Sequence, residues 1–180
     1  MSDQTALETW LAQEREVLAR STAVGTARPE QVAGLSGLQM LEAMLRGELP
    51  RAPITRTLDF HLIEAEAGRA VFQGTPRPEH FNPMGTIHGG WFATLLDSAL
   101  GCAIHTMMPP GRSYTTTELS VNLVRAITLK VPRVRAEGKV VHCGRQIATA
   151  EGRLYGPDDT LYAHATTTCL VFEVPEVPAR

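Results

Sequence analysis

The run Asn82-Pro83-Met84-Gly85-Thr86-Ile87-His88-Gly89-Gly90 stands directly ahead of a long apolar segment. A glycine pair opening a helix leaves backbone N–H groups unhindered at the end where partial positive charge collects. Such a place can hold a carbonyl oxygen as it gains charge. The same pair can instead serve a tight turn and close packing. Seven residues past Gly90, Asp97 interrupts Leu95, Leu96, Ala99 and Leu100. An unpaired carboxylate is costly there, so Asp97 reads either as a paired core acid or as a catalytic one. Thr116 falls on a strand-like run with Glu118, Ser120 and Asn122 on its alternate face, opposite Leu119, Val121 and Leu123. It can hydrogen-bond a water or that carboxylate, or belong to a solvated face.

Distance constrains how these groups combine. Asp97 is eight residues beyond Gly89, about 12 Å along one helix, too far for one chain to bring both to a small carbonyl. If they act together, Asp97 comes from a second subunit whose central helix runs antiparallel across a two-fold axis. A homodimer with two shared sites is the expectation.

The elements that must position these residues follow from periodicity. Thr5 with Glu8, and Ser36 with Gln39, have capping-box spacing. Leu7, Trp10, Leu11, Val17 and Leu18 share one helical face, and Leu38, Leu41, Met44 and Leu45 follow the second box before Gly47 and Pro50. The small polar link 21–29 predicts a loosely attached first helix. Beyond Pro50 and Pro53, 57–65 and 69–75 form a hairpin about Gly68. The apolar 89–108 reads as a helix with almost no polar face, and strands follow over 115–126, 131–141, 146–155 and 161–173. This order predicts an α+β protein, one antiparallel sheet wrapped around one long central helix, with two N-terminal helices added. The expected division is a helical extension over 1–50, a main domain over 51–174 and a fraying tail over 175–180.

The 180 residues carry a formal charge of −2, with no overall electrostatic reason to bind nucleic acid or an anionic membrane. Asp97 and the prolines at 109 and 110 argue against a membrane span, acids near the N-terminus against a signal peptide, and three widely spaced cysteines for a reducing cytoplasm. The first fifty residues hold seven acids against four bases. Between Arg125 and Arg153 seven bases face only Glu137 and Glu151. That stretch reads as a solvated sheet edge or as a surface for a phosphate-bearing ligand such as coenzyme A, with Arg125 and Arg145 as contacts. The six histidines lack metal-binding spacing, 34–38 fails as a nucleophile elbow because Leu38 replaces the final glycine, and no nucleotide-binding glycine motif occurs. No metal and no cofactor is expected.

The Asn-x-x-Gly-x-x-His-Gly-Gly run at Asn82 to Gly90, the acid at Asp97 and the strand Thr116 to Asn122 resemble the hot-dog-fold thioesterases of the phenylacetate-degradation and 4-hydroxybenzoyl-CoA thioesterase superfamily. The likeness covers about 36–172. It implies hydrolysis of an aryl- or medium-chain acyl-CoA by a dimer, or a dimer of dimers. By position, Gly89 N–H polarises the carbonyl, Asn82 helps place it or the water, and the partner's Asp97 acts as nucleophile or general base with Thr116 beside it. His88 looks like a support for the glycine turn and, with Gly90, lines the substrate side. Two alternatives stand beside this reading. One is a non-catalytic acyl-CoA sensor. The other is a hot-dog hydratase or dehydratase using His80, although His80 and Asp97 are seventeen residues apart and Thr94 occupies the nearer spacing.

Overall fold

The computed structural model describes residues 3–174, so the tail expected to fray lies outside them. Four helices precede the sheet: α1 (Asp3–Arg20), α2 (Pro29–Val32), α3 (Gly37–Arg46) and α4 (Pro53–Thr57). α1 begins ahead of the Thr5 box. α3 starts where its box predicts: Ser36 Oγ accepts from Gln39 N–H at 3.3 Å, and the Gln39 side chain accepts from Ser36 N–H at 2.8 Å. Gly47, left-handed at φ 80°, ends it. The short α2 and α4 were not anticipated; each has proline in its first turn, where the missing N–H costs nothing. α4 takes Thr57, so the first strand starts at Phe60.

β1 (Phe60–Glu66) and β2 (Arg69–Gly74) form the hairpin. After α5 (Gly89–His105) come β3 (Arg112–Leu123), β4 (Val134–Cys143), β5 (Ile147–Tyr155) and β6 (Leu161–Glu173). All six strands form one antiparallel sheet in the order β1-β2-β4-β5-β6-β3. It curls around α5, whose Phe92, Leu95, Leu96, Leu100 and Ile104 meet Phe72, Val134, Ala136, Leu154 and Ala163 in the core. A Cβ on Gly138 of β4 would lie 2.4 Å from the Ala99 carbonyl oxygen, so helix and strand touch backbone to backbone. This is the hot-dog arrangement. The helix is nevertheless not enclosed on all sides. β1 and β3 are free edges, and between them Thr94, Asp97, Ser98, Cys102 and His105 remain partly exposed on one face of α5.

The basic stretch is not a sheet edge either. β4 and β5 are interior strands, and most of these bases meet partners within the chain. Arg133 donates to Glu14 at 2.7 Å, while Arg135 reaches Gln73 and Glu64 at 2.9 and 3.2 Å. Lys139 and Arg153 lie near Glu137. These side chains point away from α5, and α1 covers part of that outer face. Trp10 packs edge-on against Tyr155 and beneath the Arg135 guanidinium, 4.5 Å from ring centre. Glu14, only 8% exposed, also accepts from Gln73 at 2.8 Å. α1 is therefore docked by a buried aromatic and a buried carboxylate, contrary to the loose attachment its polar link predicts. α3 is held as closely: Gly37 N–H donates to the Met108 carbonyl at 2.9 Å, and a Cβ at Gly37 would lie 1.8 Å from the His105 carbonyl oxygen.

Trp10→Ala removes the aromatic anchor of α1. It is expected to lower unfolding free energy by about 3 kcal/mol in chemical denaturation, with one cooperative transition retained. A loss within about 0.5 kcal/mol, the range of ordinary surface changes, would show α1 to be a detachable appendage.

Candidate functional site

The loop before α5 is built by Asn82. Its Oδ1 accepts from Met84 and Thr86 N–H at 2.9 and 3.2 Å, and its Nδ2 donates to Thr86 Oγ1 at 2.8 Å. One amide hydrogen of Asn82 is left for any other partner. His88 is the N-cap, its Nδ1 accepting from Gly90 N–H at 2.8 Å. The cap divides the glycine pair: Gly90 N–H is taken, whereas Gly89 N–H meets no acceptor among the described residues. Gly89 also lets Leu123 close in, since a Cβ there would fall 2.8 Å from Leu123 Cδ1. Both roles considered for the pair, packing and an open donor at a helix N-terminus, thus coexist.

Asp97 lies two turns further along α5, on the exposed stripe, and accepts from Thr116 Oγ1 at 3.1 Å. Thr116 is not on the face of Glu118, Ser120 and Asn122, as strict alternation would have it. The register of β3 against β6 slips between Thr116 and Glu118, and this bulge at Thr117 turns Thr116 inward with Tyr114, Leu119 and Val121. The neighbours are Cys102, Tyr114 and Cys169. Burial first, then the negative charge of Asp97, pushes the Cys102 thiol up to about 12. Burial likewise raises Tyr114 well above the ordinary phenol range. Cys169 lies 3.9 Å from Thr116 Oγ1. Burial raises the Cys169 thiol as well, so both thiols beside Asp97 are neutral. Tyr114 and Cys102 escaped sequence reading; Tyr114 was within reach of it, standing two residues before Thr116 on the same strand face.

Arg125 and Arg145 do not meet within one subunit. Arg125 follows β3, its N–H bonded to the Tyr162 carbonyl, near Leu123 and the α5 N-terminus. Arg145 stands at the opposite end, where the Arg112 guanidinium donates to its carbonyl; the eleven steps of β3 span about 35 Å. His80, the histidine a dehydratase reading would use, stacks on Trp91 with ring centres 5.2 Å apart and is 6% exposed. Its Nδ1 accepts from Arg77 N–H, and burial lowers its pKa. It is a neutral core residue. Among the described residues no cluster of three or more metal-binding side chains occurs, and no helix is long and apolar enough to cross a membrane.

Residues 84–163 match the family model of the thioesterase superfamily. A search among curated proteins returns no match. Of solved structures, a phenylacetic acid degradation-related protein from Ralstonia eutropha is 26% identical over 72% of this chain and 98% of its own, with a TM-score of 0.66. A thioesterase family protein from Silicibacter pomeroyi is 25% identical over 67% of this chain and 90% of its own, at 0.62. The PaaI protein of the E. coli phenylacetic acid degradation operon, 17% identical over 68% and 87% of the two chains at 0.60, shares the fold. The matched segment spans the open glycine donor and the Asp97–Thr116 pair, and over it the chain is similar to the thioesterase superfamily; with the wrapped helix this marks a hot-dog-fold thioester hydrolase.

Proposed function

We propose that the chain hydrolyses aryl- or medium-chain acyl-CoA in the cytoplasm, as a homodimer that pairs further into a dimer of dimers. Each site combines Gly89 of one subunit with Asp97 of the other. The observation that carries this reading is an open Gly89 N–H together with a stripe-facing Asp97 whose one side-chain hydrogen-bond partner among the described residues is Thr116. Gly89 N–H, aided by the helix dipole, stabilises the thioester oxygen as it gains charge, a contribution of about 3 kcal/mol for such donors. The Asp97 carboxylate then either attacks the carbonyl carbon, giving an anhydride that water opens, or takes a proton from water as that water attacks. Both routes release coenzyme A as thiol and the acyl group as free acid. Thr116 orients the carboxylate, Asn82 and His88 hold the loop that aims Gly89, and Gly90 completes the turn. Arg125, at the Gly89 end of the sheet, is the better placed of the two arginines for coenzyme A phosphates near that glycine; Arg145 of the same subunit is remote from it.

Asp97→Asn is expected to cut thiol release by about 10²- to 10⁴-fold across a panel of aryl and medium-chain acyl-CoA thioesters, with fold and dimer intact. Thr116→Val should cost about tenfold, the worth of one hydrogen bond to a charged group. Full activity in Asp97→Asn would overturn the mechanism. If the unmodified protein releases no thiol from any thioester yet binds coenzyme A tightly, the sensor reading takes its place.

Sharing of the site has its own test. Gly89→Pro deletes the N–H at the first helical position, where proline is tolerated, and His88 at φ −64° and ψ 136° already has the extended backbone that proline requires of its predecessor. Gly89→Pro and Asp97→Asn should each be inactive alone. Unfolded and refolded together, they should regain activity, because each mixed dimer holds one site with both native groups. No recovery in demonstrably mixed dimers would place both groups in one subunit.

A further inference from the structure

Where α1, α3 and α4 meet the uncovered end of α5 lies an open-mouthed cavity of about 220 Å³. Its body is apolar, lined by Leu41, Leu45, Leu62 and Phe72. Ser21, Arg51 and His105 also line it, and each has a buried side-chain atom with no hydrogen-bond partner among the described residues: Ser21 Oγ, Arg51 Nε and His105 Nδ1. Buried polar groups are nearly always paired, and three under-satisfied side chains around one apolar cavity point to a polar ligand there. Arg51 sets the sign of that ligand. One of its terminal nitrogens donates to His61 Nδ1 at 3.0 Å, and no carboxylate among the described residues pairs with it. The nearest acid in that chain of contacts, Asp59, lies beyond His61 and is engaged by His61 and Arg77. A guanidinium that lines an apolar space without a carboxylate partner matches a carboxylate.

We infer that this cavity binds a carboxylate whose apolar body has about six carbons, with the Arg51 guanidinium as the principal donor and Ser21 and His105 beside it. The size follows from the volume: an apolar cavity of about 150 Å³ holds a benzene ring, and about 220 Å³ has room for six carbons and a carboxylate. Two sources share that chemistry. One is a free carboxylic acid, the class of product that thioester hydrolysis releases. The other is the far end of an acyl group with a terminal carboxylate, since Cys102 and Tyr114 also line the cavity and stand five residues past Asp97 and two before Thr116. The second source rests on the hydrolase reading above; binding of the free acid does not.

Hexanoate titrated into the full chain, followed by backbone amide chemical shifts, is expected to saturate with the largest changes around Ser21, Arg51 and His105. 1-Hexanol should bind at least about tenfold more weakly, and Arg51→Gln should weaken hexanoate by about tenfold or more. Met44→Trp, which fills the cavity from its rim, should also abolish binding and serves in place of Arg51→Gln should that variant fail to fold. The sources separate in kinetics. If the carboxylate belongs to the substrate, adipoyl-CoA is favoured over hexanoyl-CoA in kcat/KM and Arg51→Gln removes the preference. If it is a free acid, the two thioesters rank alike in both proteins while hexanoate binding still depends on Arg51. The inference is overturned if hexanoate gives no saturable shifts, or if its binding is indifferent to both substitutions and 1-hexanol binds as well. A dead Asp97→Asn or an inactive native protein leaves the titration as informative as before.

Discussion

Burying α5 is the constraint from which the other features follow. A seventeen-residue helix with apolar side chains around most of its circumference needs contact on several sides at once, and one curled sheet supplies it. The sheet must come very close, which is why β4 has a glycine where it crosses Ala99. Yet the sheet stops short of closing, because β1 and β3 do not pair. Curvature therefore leaves one stripe of the helix uncovered. Along that stripe a carboxylate escapes the full cost of burial while remaining tied to the core by Thr116.

What was legible in the sequence was whatever obeys a period or a local signal. The 89–108 run, the strand lengths, the Gly68 hairpin, the Ser36 box and the glycine pair all belong to that kind. Thr116 shows where such reading ends. Alternation assigned it to the face of Glu118, and a single inserted residue at Thr117 moved it to the other face. A bulge is decided by how two strands fit across a ladder, and one strand's sequence does not contain the other's register. The same holds for Arg125 and Arg145, near in sequence yet separated by the length of the sheet.

Charge offers a second case. The acidic first fifty residues and the basic stretch after Arg125 are far apart in sequence, and the near-neutral total hides them both. In the fold they meet: Glu14 of α1 binds Arg133 and Gln73, and Arg135 lies across Trp10. The complementarity is chiefly internal, and it seats a helix that periodicity could identify but not place. Burying such pairs brings little net stability, because desolvation offsets much of the attraction. Its value here is positional, since only one placement of α1 satisfies Glu14, Gln73 and Arg135 together. That placement in turn sets Val17 and Ser21 against the cavity beside α5.

The two readings of Asp97, core acid or reactive acid, can be weighed against the acids this protein uses structurally. Glu14 accepts from a guanidinium and an amide. Glu137 has Arg69 at 2.6 Å, with Lys139 and Arg153 also near. Both are more than nine-tenths buried and face cations that neutralise them. Asp97 has one neutral hydroxyl, with no cation within ion-pairing distance among the described residues. A carboxylate offers about four acceptor positions, and a residue kept only for packing would be replaced at lower cost by an apolar one. A carboxyl group held by a single donor, partly exposed beside neutral thiols and a neutral phenol, keeps free acceptor positions and access to a second molecule. Those are the two properties that attack on a carbonyl, directly or through water, requires.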